Sequence, residues 1–379
     1  MIKSYKYRIY PNKSQKELIE KHFGCVRWVY NWGLERKIKI YEGSKKNIGC
    51  FDLMKELTQL KKQEEYQWSN EVNSQSLQMA LRNLDNAFNA FFKKNSKFPK
   101  FKSKKDNKKS FQIPQGLRID TKLSIPKIPN IKIKVDKELE GKIKTATINK
   151  TQTNKYFVSI VVENDIEFPN KPEINEDTMI GIDLGIKNFA TISDGRKIEN
   201  HKYLKRSLGK LKKQQRGLSR KKKGSKNRDK QRLVVARLYE KITNQRNDFL
   251  HKLTYQLTHE NQMSIAIEDL SVKNMLQNSN LSREISDASW GEFRRQLEYK
   301  CDWYGKNLLV IGRFEPSSKF CNVCGNINNE LRLIDREWVC IKCNTKHDRD
   351  ILAAQNIKQF ALIKNRVGQT RINACGEQR

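Results

Sequence analysis

The chain has 379 residues and carries 76 lysines and arginines against 42 aspartates and glutamates, a formal charge of +34. Solubility asks only about 2 to 8 net charges of a small domain, so this excess calls for a polyanion to neutralise it, and a long nucleic acid is the expected partner. No apolar run reaches the ~18 residues of a membrane span, and no secretory pattern precedes Tyr5, so a cytoplasmic protein is expected.

Residues 2–10 alternate apolar and polar side chains, the two-residue period of a strand with one buried face, and Pro11 ends it. Asn12 is placed to cap a helix from Lys13 with Gln15 completing a capping box, and Leu18, Ile19, Phe23, Val26, Val29 and Tyr30 keep a helical period. More helix is expected through Leu57 and Leu60, and Leu77, Leu81, Leu84, Phe88 and Phe91 predict an amphipathic helix over 74–92. Residues 11–95 thus read as one helical unit. Asn73, Ser74, Gln75 and Gln78, at the start of its last helix, can read base edges or form a solvated face.

Residues 97–109 mix Phe98 and Phe101 with lysines, which suits either a phosphate backbone with bases stacked nearby or a plain linker. Strands are expected at 131–135, 145–148 and 156–162. Together with the first strand they can close a small barrel, into which the helical unit would be inserted. A polar linker follows at 170–177, and a second domain starts near Thr178.

That second domain opens with an apolar run, Thr178-Met179-Ile180-Gly181-Ile182-Asp183-Leu184-Gly185, interrupted by one acid. A carboxylate within a buried strand is costly unless it is paired or metal-bound, and the glycines let a phosphate or another backbone come close. Ser264-Ile265-Ala266-Ile267-Glu268 is a second short strand ending in acid, and Asp350 opens an apolar helix over 351–363. Taken singly, each acid has the ordinary alternative of capping a helix or shaping a turn, and Asp269 and Asp348 compete for the neighbouring roles. Together, Asp183, Glu268 and Asp350 can hold two magnesium or manganese ions, which is how an RNase H-like fold cuts nucleic acid.

Cys321-x2-Cys324 and Cys340-x2-Cys343, fifteen residues apart, have the spacing of a closed four-thiolate zinc site. Such a site leaves no open coordination position and serves folding, not catalysis; a redox pair is the alternative. His347 is close enough in sequence to suggest a fifth ligand, although an exposed or capping histidine is the expectation. The other cysteines, Cys25, Cys50, Cys301 and Cys375, are scattered, which fits a reducing compartment. Between Lys202 and Arg232 stand fifteen basic residues and one acid, Asp229. Leucine spacing on either side of Gly224-Ser225 predicts two helices joined by a basic turn, a candidate wall for a nucleic-acid channel. The tail, 364–379, is polar and basic, and no regular element is expected there.

These residues resemble the TnpB family of insertion-sequence proteins, related to the type V CRISPR effector nucleases. The stretches that match are Tyr7-Arg8-Ile9-Tyr10-Pro11, Phe98-Pro99-Lys100-Phe101-Lys102, Gly181-Ile182-Asp183-Leu184-Gly185, Ile267-Glu268-Asp269-Leu270, the four cysteines, and Asp348-Arg349-Asp350 with Ala353-Ala354. The resemblance implies a multidomain protein with a RuvC-like RNase H domain (178–313 and 344–379) and an inserted zinc ribbon (314–343). Before these would come a wedge-like β-barrel domain (1–10 and 96–170) carrying an inserted helical recognition domain (11–95). It implies an RNA-guided DNA endonuclease with guide RNA and double-stranded target DNA bearing a short adjacent motif as partners, found on the nucleoid when bound to DNA. The implied catalytic triad is Asp183, Glu268 and Asp350 with magnesium or manganese, and the implied zinc ligands are Cys321, Cys324, Cys340 and Cys343. A catalytically weak repressor and a transposase are the competing functions. The chain departs from the commonest family form at Leu352, where that form has an asparagine two residues after the last catalytic aspartate.

Overall fold

The computed structural model describes residues 1–105, 109–332 and 334–376, with side chains as far as Arg366. The chain divides at Ile166 into two units. Among the described residues no helix is long and apolar enough to cross a membrane.

In the first unit, β1 (Ile2–Tyr10) leads into α1 (Lys13–Ser44), α2 (Cys50–Leu60) and α3 (Ser74–Phe92) before the chain returns to strands. Asn12 caps α1 through the expected box: its side chain accepts from the Gln15 amide while Gln15 reaches back to the Asn12 amide. The remaining strands are β2 (Lys109–Ile113), β3 (Arg118–Ile119), β4 (Lys122–Ile125), β5 (Ile128–Lys134), β6 (Lys142–Lys150) and β7 (Tyr156–Glu163). They form a seven-stranded antiparallel sheet in the order β2-β6-β7-β1-β5-β4-β3. Its pairing leaves β2 and β3 as edges, so hydrogen bonding among the described strands does not complete the ring that a closed barrel needs. Strict alternation in β7 buries Tyr156, Val158, Ile160 and Val162 on one face. That face joins Leu34, Leu53, Leu77, Leu81 and Leu84 of the helices in one hydrophobic core, where each fully buried aliphatic side chain contributes about 1.5–3 kcal/mol.

The second unit is built on β8 (Met179–Leu184), β9 (Asn188–Ile192), β10 (Lys197–Glu199), β11 (Ser264–Glu268) and β12 (Asn307–Ile311). Their order is β10-β9-β8-β11-β12. The β8-β9-β10 meander is antiparallel, and β11 and β12 run parallel to β8. Between β10 and β11 lie α4 (Tyr203–Ser219) and α5 (Lys226–His259), joined through Gly224 at a φ of +84°, a left-handed backbone that favours glycine. The short α6 (Val272–Met275) and α7 (Ser282–Ala288) precede α8 (Trp290–Trp303), and β13 (Glu337–Val339) pairs with β14 (Lys346–Asp348) in the cysteine module. The last helix, α9 (Arg349–Gly376), runs through most of the tail expected to lack regular structure; residues 377–379 and the Cys375 side chain lie outside what is described.

The two faces of the second sheet are packed by different helices. Ile180, Ile182, Ile265 and Ile267 point into a core with Leu250, Leu253 and Leu257 of α5 and Phe293 and Leu297 of α8. Met179, Ala266 and Ile311 face the other way, onto Ile357, Ala361 and Leu362 of α9. Gly181 lies opposite Ala266 in the parallel register, which gives α9 a nearly flat floor. A Cβ on Gly181 would lie 2.0 Å from the Ala354 carbonyl oxygen and 2.8 Å from the Lys358 nitrogen. Only glycine therefore lets the helix backbone rest directly on β8.

Candidate active site and metal centre

The alternation that sets Gly181 under α9 sets Asp183, two residues on, toward the same side. Glu268 follows Ile267, the register partner of Ile182, on the adjoining parallel strand. Asp350 is in the first turn of α9. Two strand ends and a helix start thereby bring the three acids together from positions far apart in the chain. Burial, then the charges of Glu268 and Asp350, push the Asp183 carboxyl up to about 7, while Arg349 and the Leu184 amide oppose the rise. Burial also raises Glu268, against a hydrogen bond that its Oε1 accepts from the Ser317 hydroxyl at 2.5 Å. The three carboxylates offer only hard oxygen donors and suit a magnesium- or manganese-type cation, whose charge would offset the repulsion that Glu268 and Asp350 exert on Asp183. Their oxygens are spaced more widely than a single tight ligand shell: among the described residues, the set whose donor atoms all lie within 4.8 Å of one another is the four cysteines.

The competing acids are engaged elsewhere. Asp269 accepts from Arg294 Nη1 and Arg313 Nη2, each at 2.7 Å, and these guanidinium groups hold its carboxyl below the usual range. Asp348 caps α9, its Oδ1 accepting from the amides of Asp350 and Ile351 at 3.1 Å, and pairs with Lys197 Nζ at 2.6 Å. Asp350 has a longer ion pair, 3.5 Å, with Arg336.

Four free cysteines form the second cluster. Cys321 and Cys343 sulfurs are 3.6 Å apart and those of Cys324 and Cys340 are 3.5 Å apart, close to the ~3.8 Å edge of a tetrahedron with zinc–sulfur bonds of about 2.3 Å. The hydrogen bond with the Thr345 hydroxyl leads the effects that bring Cys343 down to about 6, toward the thiolate that zinc binds. The cluster is compatible with structural zinc. His347, expected to be exposed or capping, is buried, with Nε2 3.2 Å from the Cys321 sulfur. Leu352 is 1 % exposed in the apolar cluster with Cys321, Leu331, Trp338 and Cys340. Leu352 is thus a packing contact between α9 and the cysteine module.

In the basic helix pair, Leu211 is buried, and Lys210, Lys212, Lys213, Arg216 and Arg220 of the α4 region are exposed. The amides that begin α4 are capped by Asp287, which accepts from Leu204 at 2.9 Å and from Lys205 at 3.3 Å. In the first unit the basic loop before β2 is fastened down. Asn31 exchanges hydrogen bonds with the Lys102 backbone, Lys102 Nζ sits 3.6 Å from the Tyr30 ring centroid, and Phe98 meets Phe88 and Phe91 edge-on. Residues 106–108 of this loop lie outside the described residues. Asn73, a candidate base reader, is instead a buried cap whose side chain accepts from the Gln75 amide; Ser74 and Gln78 are exposed.

Two positions in the second unit escaped the sequence reading. Ser317 steers Glu268, and the buried Asn356 donates through Nδ2 to the Ser317 and Phe320 carbonyls at 2.6 and 2.7 Å. An amide four residues after Leu352, on an otherwise apolar helical face, was the signal available.

A mixed α/β chain with paired acids on adjacent parallel strands and a four-cysteine module matches known proteins along nearly its whole length. Family models match at residues 158–279 ("Probable transposase", OrfB of IS605), 290–357 (the Cas12f1-like TNB domain) and 1–46 ("Helix-turn-helix domain"). In the last stretch this chain has β1 followed by the single helix α1. A Streptomyces pristinaespiralis protein named "Putative RNA-guided DNA endonuclease" is 42% identical over 97% of this chain and 91% of its own length. An Escherichia coli K12 protein of the same description, InsQ, is 32% identical over 94% and 91%. The Cas12f1 chain from a complex with sgRNA and target DNA aligns over 94% of this chain and 98% of its own with a TM-score of 0.59 at 14% identity, a likeness of fold. The chain belongs to the TnpB (OrfB) family of insertion-sequence proteins.

Proposed function

We propose that this chain is an RNA-guided DNA endonuclease that hydrolyses target phosphodiesters at one metal-dependent site formed by Asp183, Glu268 and Asp350. The main support is the nearness of these three acids at the ends of β8 and β11 and the start of α9, where burial and then the charges of Glu268 and Asp350 lift Asp183. The names of the Streptomyces and Escherichia coli relatives supply the guide and the substrate, and the sgRNA and target DNA of the Cas12f1 complex agree with them. In this reading the second sheet with α9 is a RuvC-like nuclease domain, the first sheet a wedge-like domain, and α1–α3 the recognition helices beside it.

When bound, divalent ions at the acids would polarise the phosphodiester and make water nucleophilic at neutral pH. The chain's own contribution is to hold the carboxylates. Asp183 is fixed by a strand buried on both faces, Glu268 is oriented by Ser317, and Asp350 is carried on a helix seated against Gly181. The exposed lysines and arginines of α4 would hold phosphates along the path to the site. Cleavage would leave 5′-phosphate and 3′-hydroxyl ends.

The test is plasmid cleavage in magnesium by protein co-expressed with its flanking DNA, native against Asp183→Ala. Guide-matched cutting lost in the variant is the expected result. Matched DNA bound by both proteins and cut by neither would overturn the nuclease reading in favour of a guided repressor.

A further inference from the structure

We infer that Ser317 and Asn356 are positioning residues for Glu268, and that through them the entrance to the four-cysteine module sets the affinity of the acid site for its divalent ion. The inference rests on the nuclease reading above and concerns groups that hold a ligand, not the ligands themselves.

The geometry is a closed circuit. β12 ends at Ile311, the register partner of Glu268, and the chain then turns back across the strand end. Arg313 fastens the first part of this turn by donating to the Asp269 backbone oxygen and carboxylate at 3.3 and 2.7 Å. Ser317, 8 % exposed, then directs its hydroxyl onto Glu268 Oε1 at 2.5 Å. Asn356, fully buried in α9, clamps the same turn from the other side through the Ser317 and Phe320 carbonyls, and Cys321 begins the cysteine module one residue later. The helix that carries Asp350 thus also grips the turn that orients Glu268. A buried donor aimed at one carboxylate oxygen fixes the rotamer and leaves the other oxygen for a cation. Partners of this kind change metal affinity by about 10- to 100-fold when removed.

The experiment titrates Mn2+ into the full chain and reads free Mn2+ by electron paramagnetic resonance, for native protein, Asp183→Ala, Ser317→Ala and Ser317→Thr, with zinc content checked in each. Asp183→Ala should abolish the tight Mn2+ site. Ser317→Ala removes only a hydroxyl; it should weaken Mn2+ binding about 10-fold with zinc content unchanged, and Ser317→Thr should restore it. In cleavage assays the Ser317→Ala defect should shrink as Mn2+ is raised, a split that a general loss of fold would not produce. Native Mn2+ affinity in Ser317→Ala, with Asp183→Ala defective, overturns the positioning role alone. Native affinity in Asp183→Ala overturns the carboxylate site on which it rests.

Discussion

At the scale of single residues, the chemistry is decided by which carboxylates are already satisfied. Asp269 and Asp348 have the same charge and nearly the same sequence positions as Glu268 and Asp350, yet arginines, a lysine and helix amides occupy their oxygens. Asp183 is left half-buried beside two other acids. Its folded carboxyl titrates at about 7, above the ordinary 3.8. Without metal, the folded state therefore holds a proton that the unfolded state has released, and stability falls as pH rises through this interval. The expected outcome is that metal-free Asp183→Asn melts a few degrees above the native protein at pH 8, the gap closing as pH falls toward about 4. Scanning calorimetry across pH 4–8 measures it. Added Mn2+ should raise the melting temperature of the native chain and leave that of the variant unchanged.

At the scale of elements, the site depends on one close approach. β8 alternates isoleucines toward α5 and α8 with Met179, Gly181 and Asp183 toward α9, so the strand that anchors the sheet in one core presents an acid beside the other. Gly181→Ala would press a methyl group onto the Ala354 carbonyl. We expect a stability loss of about 1–3 kcal/mol, typical of overpacking, and a loss of cutting as α9 and Asp350 are lifted from the strand. Thermal melts with cleavage assays and zinc analysis would separate this from damage to the cysteine module, which should keep its metal. Leu352 belongs to the same element: it joins α9 to the cysteine cluster by apolar contact.

At the scale of the whole molecule, the charge of +34 makes nucleic-acid binding a counterion-release problem. Lys210 and Lys213 are exposed on α4. Replacing both by glutamine should weaken DNA binding about equally across sequences. The slope of log affinity against log salt should become shallower by about one for each phosphate that is no longer neutralised. Binding isotherms at several salt concentrations measure this, and an unchanged slope would remove α4 from the nucleic-acid path.

Local physics encodes a good part of this molecule directly in its chain. The alternation of β1, the capping box at Asn12, the period of α3, the apolar strands ending at Asp183 and Glu268, and the paired cysteines all lie within a few residues of their cause. The short strands β2, β3 and β4 were not legible, because strands of two to five residues gain their hydrogen bonds only from partners supplied by the rest of the sheet. Burial of His347 was hidden in the same way, whereas the cap at Asn73 is a bond to an amide two residues on and was open to a local reading. Folding of the whole unit determined which acids remained available and why Gly181 admits no side chain. It also brought Asn356 to Ser317 across 39 residues and Ser317 to Glu268 across 49. Packing two cores against opposite faces of one sheet creates those encounters, and no period along the chain records them.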